Sequence, residues 1–243
     1  MTIIRIYRNP IWQHIPSTIS FLMNQRKTLK HSDISVKIGL NFSIILNSAC
    51  FVEGALKTGL KGLLLQRRNE FNKVSSFPKF YTRKTLNTLF NSIESELDRR
   101  ISRSTGLSNY DELFNLLIDQ KLSGDDRIKP LWEGIQVLFQ FRNVLAHGKE
   151  VSALAHSSPQ TQGEWLEDFC GGYKKAEEYL LKNKLLKKRY LDKGSEEIFF
   201  TNNIANHFYT LSQKFIRAIS LSLSGPEKRA FDNAVYKGKI FLK

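Results

Sequence analysis

A long run of apolar residues at helical spacing, in the first third of the chain, constrains the fold more than any other feature. These residues return to one face of an α-helix; they are Ile34, Ile38, Ile45, Val52, Leu56, Leu60 and Leu63. Asp33 can cap the first turn, so the pattern predicts one helix of about forty residues. The glycines inside the run predict close packing against another helix, which we favour over the alternative of a kink; they are Gly39, Gly54, Gly59 and Gly62. We therefore expect a core of packed helices.

Shorter helical patterns follow this run and complete the expected fold. They predict helices over residues 85–102, 108–118, from Pro130 to the cap at Gly148, one or two within 164–193, one capped by Thr201, and a last one from Pro226 to about Gly238. Residues 1–31 lack a helical period and predict an arm with a short strand and a helical turn, and residues 195–200 predict a short extended piece. The chain is thus expected to be all-α, with an arm (1–31), a helical domain (32–223) and a C-terminal helix and tail (224–243).

The chain is strongly basic, which bears on its partners. It has 37 Lys and Arg against 23 Asp and Glu, a formal charge of +14. Such a surplus favours a polyanionic partner, with nucleic acid as the first candidate and an acidic membrane surface as the second. A surplus of lysine on a solvated surface is the alternative. With 41% hydrophobic residues the chain can also bury a sizeable core, so we do not expect general disorder.

Cysteine usage and the distribution of polar residues predict a cytoplasmic protein. Cys50 lies within an apolar helical run, where a reduced, buried thiol is the usual state. Four residues near the start interrupt any apolar segment that could serve as a secretory signal; they are Trp12, Gln13, His14 and Pro16. The most apolar window, residues 38–65, carries too many polar groups for an ordinary membrane span; they are Asn41, Asn47, Glu53, Lys57 and Lys61. We expect a core helix, and neither export nor membrane insertion.

Several chemical signatures are missing from the sequence. There is no glycine-rich phosphate loop, no set of Cys and His residues at metal-ligand spacing and no Gly-x-Ser-x-Gly elbow. Asp125 and Asp126 in a turn are too weak a pair to predict a magnesium-dependent nucleotidyltransferase. We therefore expect neither a cofactor nor a metal ion.

The chemistry-bearing residues of the sequence cluster at the end of one helix. Pro130 suits the first turn of an apolar helix that runs through Phe141, and Gly148 can cap its C-terminus. Asn143 and His147 are four residues apart and point the same way, and Arg142 is one step round from Asn143. The spacing therefore places three polar side chains at one helix end.

These residue types suit metal-free cleavage of RNA. His147 can hold or release a proton near neutral pH, and the Arg142 guanidinium can bind phosphate oxygens and steady charge that develops there. The alternative is a helix end where cations favour the dipole and His147 hydrogen-bonds a carbonyl.

The stretch from Phe141 to Gly148 resembles the signature motif of the HEPN superfamily, an Arg and a polar residue followed by a His at the close of an apolar helix. Residues 44–56 look like the long early helix of that family, and residues 201–208 are similar to the closing helix of some branches. The likeness extends loosely from about residue 34 to 222. It implies an all-α bundle, and many such domains are endoribonucleases of toxin, antiphage and RNA-processing systems.

The resemblance also implies supporting residues and partners. An acidic residue of the early helix often faces the motif, which gives Glu53 as a partner of Arg142; alternatively, Glu53 lies on a solvated stripe with Lys57 and Lys61. A two-fold homodimer would bring two copies of the motif together, and an antitoxin or sensor protein would restrain it. A basic stretch could follow the RNA backbone, or could be a solvated face; the candidates are Lys149, Lys182, Lys184, Lys187, Lys188 and Arg189.

The predicted function is therefore a metal-independent endoribonuclease with Arg142, Asn143 and His147 as catalytic residues. A non-catalytic HEPN-like module that binds RNA or a nucleotide, or that dimerises within a defence complex, is the main alternative. A peripheral membrane protein that uses the basic helix of residues 182–189 ranks third.

Overall fold

The computed structural model describes residues 11–30, 33–74, 82–146, 175–186 and 200–236. Of these residues, 86% are helical and none forms a strand, which confirms the all-α prediction. The helices are α1 (Ile15–Thr28), α2 (Ile34–Lys73), α3 (Arg83–Arg103), α4 (Leu107–Ile118), α5 (Lys129–Ala146), α6 (described residues 175–182), α7 (Asn202–Ser222) and α8 (Gly225–Val235), with 3₁₀ turns at Ile11–His14 and Leu122–Gly124.

Most helices lie where the apolar spacing predicted them. Helix α2 has 40 residues and begins directly after Asp33, as predicted. The Thr201 hydroxyl accepts a hydrogen bond from the Ile204 amide at 3.4 Å, which confirms that Thr201 caps α7. The sequence predicted Ser108 or Asn109 as the N-cap of α4, which is wrong, because the helix begins at Leu107 with Gly106 as its N-cap. Helix α8 ends at Val235, short of the predicted Gly238.

The N-terminal region holds more helix than the single turn that the sequence predicted. Helix α1 has 14 residues and buries Ile19 and Arg26. A charged residue thus occupies an inward-facing position, which broke the apolar period on which the prediction depended. The predicted strand near Ile3 and most of the predicted extended piece at 195–200 lie outside the described residues, and Phe200 itself lies in a bend.

The chain divides into two compact units. Unit 1 comprises residues 1–13, 53–130 and 216–243, and unit 2 comprises residues 14–52 and 131–215. Fully buried side chains of unit 1 include Leu56, Leu60, Tyr110, Phe114 and Phe231, and those of unit 2 include Ile19, Ile44, Leu138, Phe208 and Phe215. The predicted segment boundaries at residues 31 and 223 stay a prediction.

Three of the four glycines of α2 pack as closely as predicted. In unit 1, a Cβ atom on Gly54 would collide with the Trp12 ring, one on Gly59 with the Phe231 ring, and one on Gly62 would lie 2.8 Å from the Ala234 Cβ. Gly39 is different, because a Cβ atom there would meet no described residue within 4 Å. For that position the prediction of close packing was wrong.

Helix α2 is also the one described helix with the length and composition of a membrane span. Its most apolar window of 18 residues has a mean hydropathy of 1.4, and 33% of that window is buried inside the protein. The core helix of a soluble protein can meet the same criteria. Several α2 side chains are indeed fully buried; they are Ile44, Ile45, Ala49, Val52, Ala55, Leu56 and Leu60. The predicted absence of a membrane partner stays a prediction.

Arg67 connects three helices of unit 1. The Arg67 Nε donates to the Leu117 carbonyl at 2.7 Å, and its terminal nitrogens form ion pairs with Glu70 at 2.7 Å and Glu227 at 3.4 Å. Because these partners lie on α2, α4 and α8, one side chain connects all three helices. The Glu70 carboxylate accepts from Arg67 and Gln66, and these hydrogen bonds lower its pKa.

Candidate functional site

The candidate site lies at the C-terminal end of α5. The helix begins at Lys129 with Pro130 as its second residue, and the Lys129 amide donates to the Asp125 carbonyl at 2.8 Å. Proline fits this position because the first helical amides have no partner within the helix. The residues that face inward are buried; they include Ile135, Val137, Leu138 and Phe141. The predicted motif helix is therefore present up to Ala146.

A glycine allows other elements of unit 2 to approach α5 closely. Gly134 is buried, and a Cβ atom there would overlap the Tyr179 hydroxyl and lie 2.6 Å from the Leu211 Cδ2. Any larger residue would therefore displace α6, α7 or both. Glu133, beside this glycine, forms an ion pair at 2.9 Å with Lys182 of α6.

Aromatic rings hold the last turns of α5. The Phe141 ring lies 5.5 Å from Phe208 and 6.3 Å from Phe200, edge-on in both cases. Phe200 in turn lies 5.9 Å from Phe42 of α2. Edge-to-face pairs at these distances contribute beyond the area that they bury. The backbone immediately before Arg142 and Asn143 is therefore anchored in the core of unit 2.

The two described motif residues differ in environment. Arg142 is partly buried, and its Cζ lies 5.2 Å from the centroid of the Phe139 ring, within the range of a cation–π interaction. Asn143 is exposed. The side chain of Arg142 therefore lies back along the helix, while Asn143 points to solvent. His147 and Lys149 lie outside the described residues, so the predicted cluster of three side chains stays a prediction.

Glu53 has partners within unit 1. Its carboxylate forms an ion pair with Lys57 at 3.0 Å and accepts a hydrogen bond from the Tyr110 hydroxyl at 3.3 Å. The partnership with Lys57 agrees with one of the two sequence alternatives, whereas Lys61 pairs with Asp98 at 3.3 Å. The pairing of Glu53 with Arg142 stays a prediction. Sequence reasoning missed Tyr110, which is fully buried and has no local motif to mark it.

Two of the six candidate RNA-binding cations are described. Lys182 is exposed and pairs with Glu133, and an exposed ion pair of this kind is weak enough for a phosphate to compete with the carboxylate. Lys184 is exposed and adopts a left-handed conformation, with φ at 57°. Lys187, Lys188 and Arg189 lie outside the described residues.

Sequence reasoning also missed a hydrogen-bonded tyrosine and histidine in unit 2. The Tyr179 hydroxyl and the His207 Nε2 lie 2.8 Å apart. Burial and then the charge of Glu133 raise the pKa of Tyr179 to about 12, while burial and then Lys214 lower the pKa of His207. Both side chains are therefore neutral near pH 7. His207 lies in the stretch 201–208 that supports the HEPN resemblance, but nothing in the sequence indicated that Tyr179 would meet it.

Comparison of the chain with protein-family models, curated proteins and solved structures finds no match. In the described ranges, no three His, Cys, Asp or Glu side chains come together as a metal site. The HEPN likeness therefore depends on the motif and on the helical pattern alone.

Proposed function

We propose that this protein is a metal-independent endoribonuclease of HEPN type. The observation that carries the proposal is the end of α5, where Arg142 and Asn143 follow the anchored Phe141 and precede His147 in the sequence. A guanidinium supported by the Phe139 ring suits a phosphate, and an exposed amide beside it suits an orienting role. The sequence places the imidazole four residues after Asn143, one helical turn further on.

In the proposed reaction, His147 removes the proton of a ribose 2′-hydroxyl. The 2′-oxygen attacks the adjacent phosphorus, the bond from phosphorus to the 5′-oxygen breaks, and a protonated imidazole supplies the proton that the 5′-oxygen takes up. The products are a 2′,3′-cyclic phosphate and a 5′-hydroxyl. Arg142 binds the phosphate oxygens on which charge develops, and Asn143 orients one of the reacting groups.

The proposed setting is antiphage defence or a toxin system, with RNA as substrate. A two-fold homodimer would place two copies of the motif in one cleft, so that one His147 acts as base and the other as acid. Lys149 and the basic residues from Lys182 to Arg189 would bind the RNA backbone, and binding would weaken as salt rises. An antitoxin or a sensor protein would restrain the activity.

A comparison of histidine variants tests the catalytic role. Purified wild-type protein, His147→Ala and the matched control His14→Ala, a substitution at an exposed histidine of unit 2, are incubated with labelled RNA in EDTA. The wild type and His14→Ala should cleave equally, and His147→Ala should be slower by about 10²–10⁴-fold. Cleavage that requires magnesium, or that His147→Ala retains, would contradict the proposal.

A non-catalytic RNA-binding or nucleotide-binding module is the second candidate. The partial burial of Arg142 favours it, because an arginine held in a fixed contact can bind a phosphate without taking part in a reaction. Salt-dependent RNA affinity without any turnover in the same assay would support this binder. Salt-sensitive flotation with anionic vesicles, and no affinity for RNA, would support the third-ranked peripheral membrane protein.

A further inference from the structure

A buried arginine ties three elements of unit 2 together. Arg26 of α1 is 6% exposed; its Nη1 donates to the Asn41 Oδ1 at 2.5 Å and its Nη2 to the Asn206 Oδ1 at 2.7 Å. Asn41 of α2 is 2% exposed, and its Nδ2 donates to the Phe200 carbonyl at 2.6 Å and to the Asn202 Oδ1 at 3.0 Å. We refer to Arg26, Asn41, Asn202 and Asn206 as the Arg26 network. It joins α1 and α2 to the start of α7.

This network is costly to bury. All partners of the guanidinium among the described residues are neutral amides, so no described carboxylate offsets its charge. Burial lowers the pKa of Arg26, and the N-terminal end of a helix disfavours a nearby cation. Apolar side chains of similar volume often stabilise a core as well as a buried charge does. A buried cation held by two hydrogen bonds to neutral amides is therefore better explained by the arrangement that it fixes than by the stability that it adds.

The Arg26 network also holds the two aromatic residues that pack against the end of α5. Asn41 holds the backbone of Phe200, and the Phe200 ring packs on Phe141, the residue before Arg142. Asn206 is held by Arg26, and Phe208, two residues further along α7, also packs on Phe141. These two aromatic contacts of Phe141 therefore come from the segment that the Arg26 network holds in place.

We infer that Arg26 is a positioning residue for the site at the end of α5, acting through Asn41 and Phe200. The role rests on the proposed function, because it gives Arg142 and Asn143 the fixed orientation that phosphate binding in a transition state requires. Arg26 is too deeply buried to touch RNA itself, so its replacement changes turnover and leaves RNA binding nearly unaltered.

The sharpest variant is Asn41→Asp. The aspartate keeps an acceptor for Arg26 and supplies a negative charge, but it loses the amide donor that holds the Phe200 carbonyl. The variant therefore retains the tie to Arg26 and loses the two hydrogen bonds that the Asn41 amide donates, to the Phe200 carbonyl and to the Asn202 Oδ1. Arg26→Met removes the whole tie at similar volume. Arg67→Met is the matched control, because Arg67 also connects three helices but belongs to unit 1.

Hydrogen exchange and RNA cleavage are measured for the four proteins at a temperature where each is folded by circular dichroism. In Asn41→Asp and Arg26→Met, the amides of residues 138–146 should exchange at least about tenfold faster than in the wild type, kcat should fall about tenfold, and KM should change less than about twofold. Arg67→Met should leave these amides and kcat unchanged.

Unchanged exchange of residues 138–146 in Asn41→Asp would overturn the inference, as would equal losses in Arg67→Met. If Arg26→Met does not fold, Asn41→Asp alone tests whether the network positions the end of α5. Absence of cleavage by the wild type would contradict the proposed function, whereas the exchange measurement needs no RNA and would still decide whether Arg26 positions the end of α5.

Discussion

The two units hold their helices together with different interactions. Unit 1 is rich in ion pairs between helices, and the pairs of Arg67 with Glu227 and of Lys61 with Asp98 are examples. Among the described side chains of unit 2, Lys182 pairs with Glu133, but the helices are joined mainly by aromatic rings and by hydrogen bonds to neutral acceptors, including those of Arg26. Exposed ion pairs stabilise little and are screened by salt. We therefore expect substitutions at these contacts of unit 2 to lower the free energy of unfolding more than substitutions at the ion pairs of unit 1. The loss in unit 2 should be the same at low and at high salt.

Replacement of Arg26 should produce the largest effect. Arg26→Met leaves the buried Oδ1 of Asn41 and the partly buried Oδ1 of Asn206 without this donor, and a buried acceptor left in this way costs about 1–3 kcal/mol. We expect the free energy of unfolding to fall by about 3 kcal/mol. Urea unfolding at 50 mM and at 1 M salt measures it. A loss that shrinks at high salt would show that the network depends on an unrecognised ion pair.

Replacement of Gly134 tests the close packing in unit 2. Gly134→Ala forces the Tyr179 hydroxyl and Leu211 away from α5, and such overpacking costs about 1–3 kcal/mol. Gly39→Ala is the matched control, since Gly39 is an exposed helical residue of the same unit with no described neighbour within 4 Å of a Cβ atom. It should gain up to about 1 kcal/mol. Equal effects of the two substitutions would refute the described packing around Gly134.

Arg67→Met in unit 1 is the substitution to compare with Arg26→Met in unit 2. Arg67 and Glu70 are more than one third exposed, so solvent screens their interaction. We expect Arg67→Met to lower the free energy of unfolding by about 1 kcal/mol at low salt, and by less at 1 M salt. A loss as large as that of Arg26→Met, and independent of salt, would remove the distinction between the two units.

The smallest predicted effect concerns pH. The folded pKa of His207 is lowered from 6.5 by burial and by Lys214, so the unfolded chain binds more protons in the interval below 6.5. The contribution of neutral His207 is thus fully present above pH 6.5 and declines as pH falls towards the folded pKa. The pKa of Glu70 in unit 1 is also lowered, so the stability that its carboxylate contributes is lost only as the pH falls below about 4.5. Urea midpoints of the wild type and His207→Gln from pH 7 to pH 4 separate the two intervals, and identical profiles would contradict the assignment to His207.

The sequence predicted those helices that are indicated by residues close to one another in the chain. The apolar period and Asp33 predicted α2, and Pro130 together with the apolar residues up to Phe141 predicted α5. Helix α1 was missed because Arg26 occupies a buried position that the apolar pattern assigns to a hydrophobic residue. The Arg26 network was missed as well, since Asn41 and Phe200 lie 159 positions apart and asparagine carries no signal of such pairing. The resemblance drew attention to Arg142 and Asn143, whereas their support by Phe200 and Phe208 required the fold.

The most direct test of the central claim is the chemistry of the RNA ends. Purified protein is incubated with a defined single-stranded RNA in EDTA, and the fragments are analysed by mass spectrometry beside those from an Arg142→Ala, His147→Ala double variant. We predict fragments with a 2′,3′-cyclic phosphate and a 5′-hydroxyl from the wild type, and intact RNA with the double variant. Intact RNA in both samples, or fragments with 5′-phosphate ends, would contradict the assignment of Arg142 and His147 to metal-free cleavage.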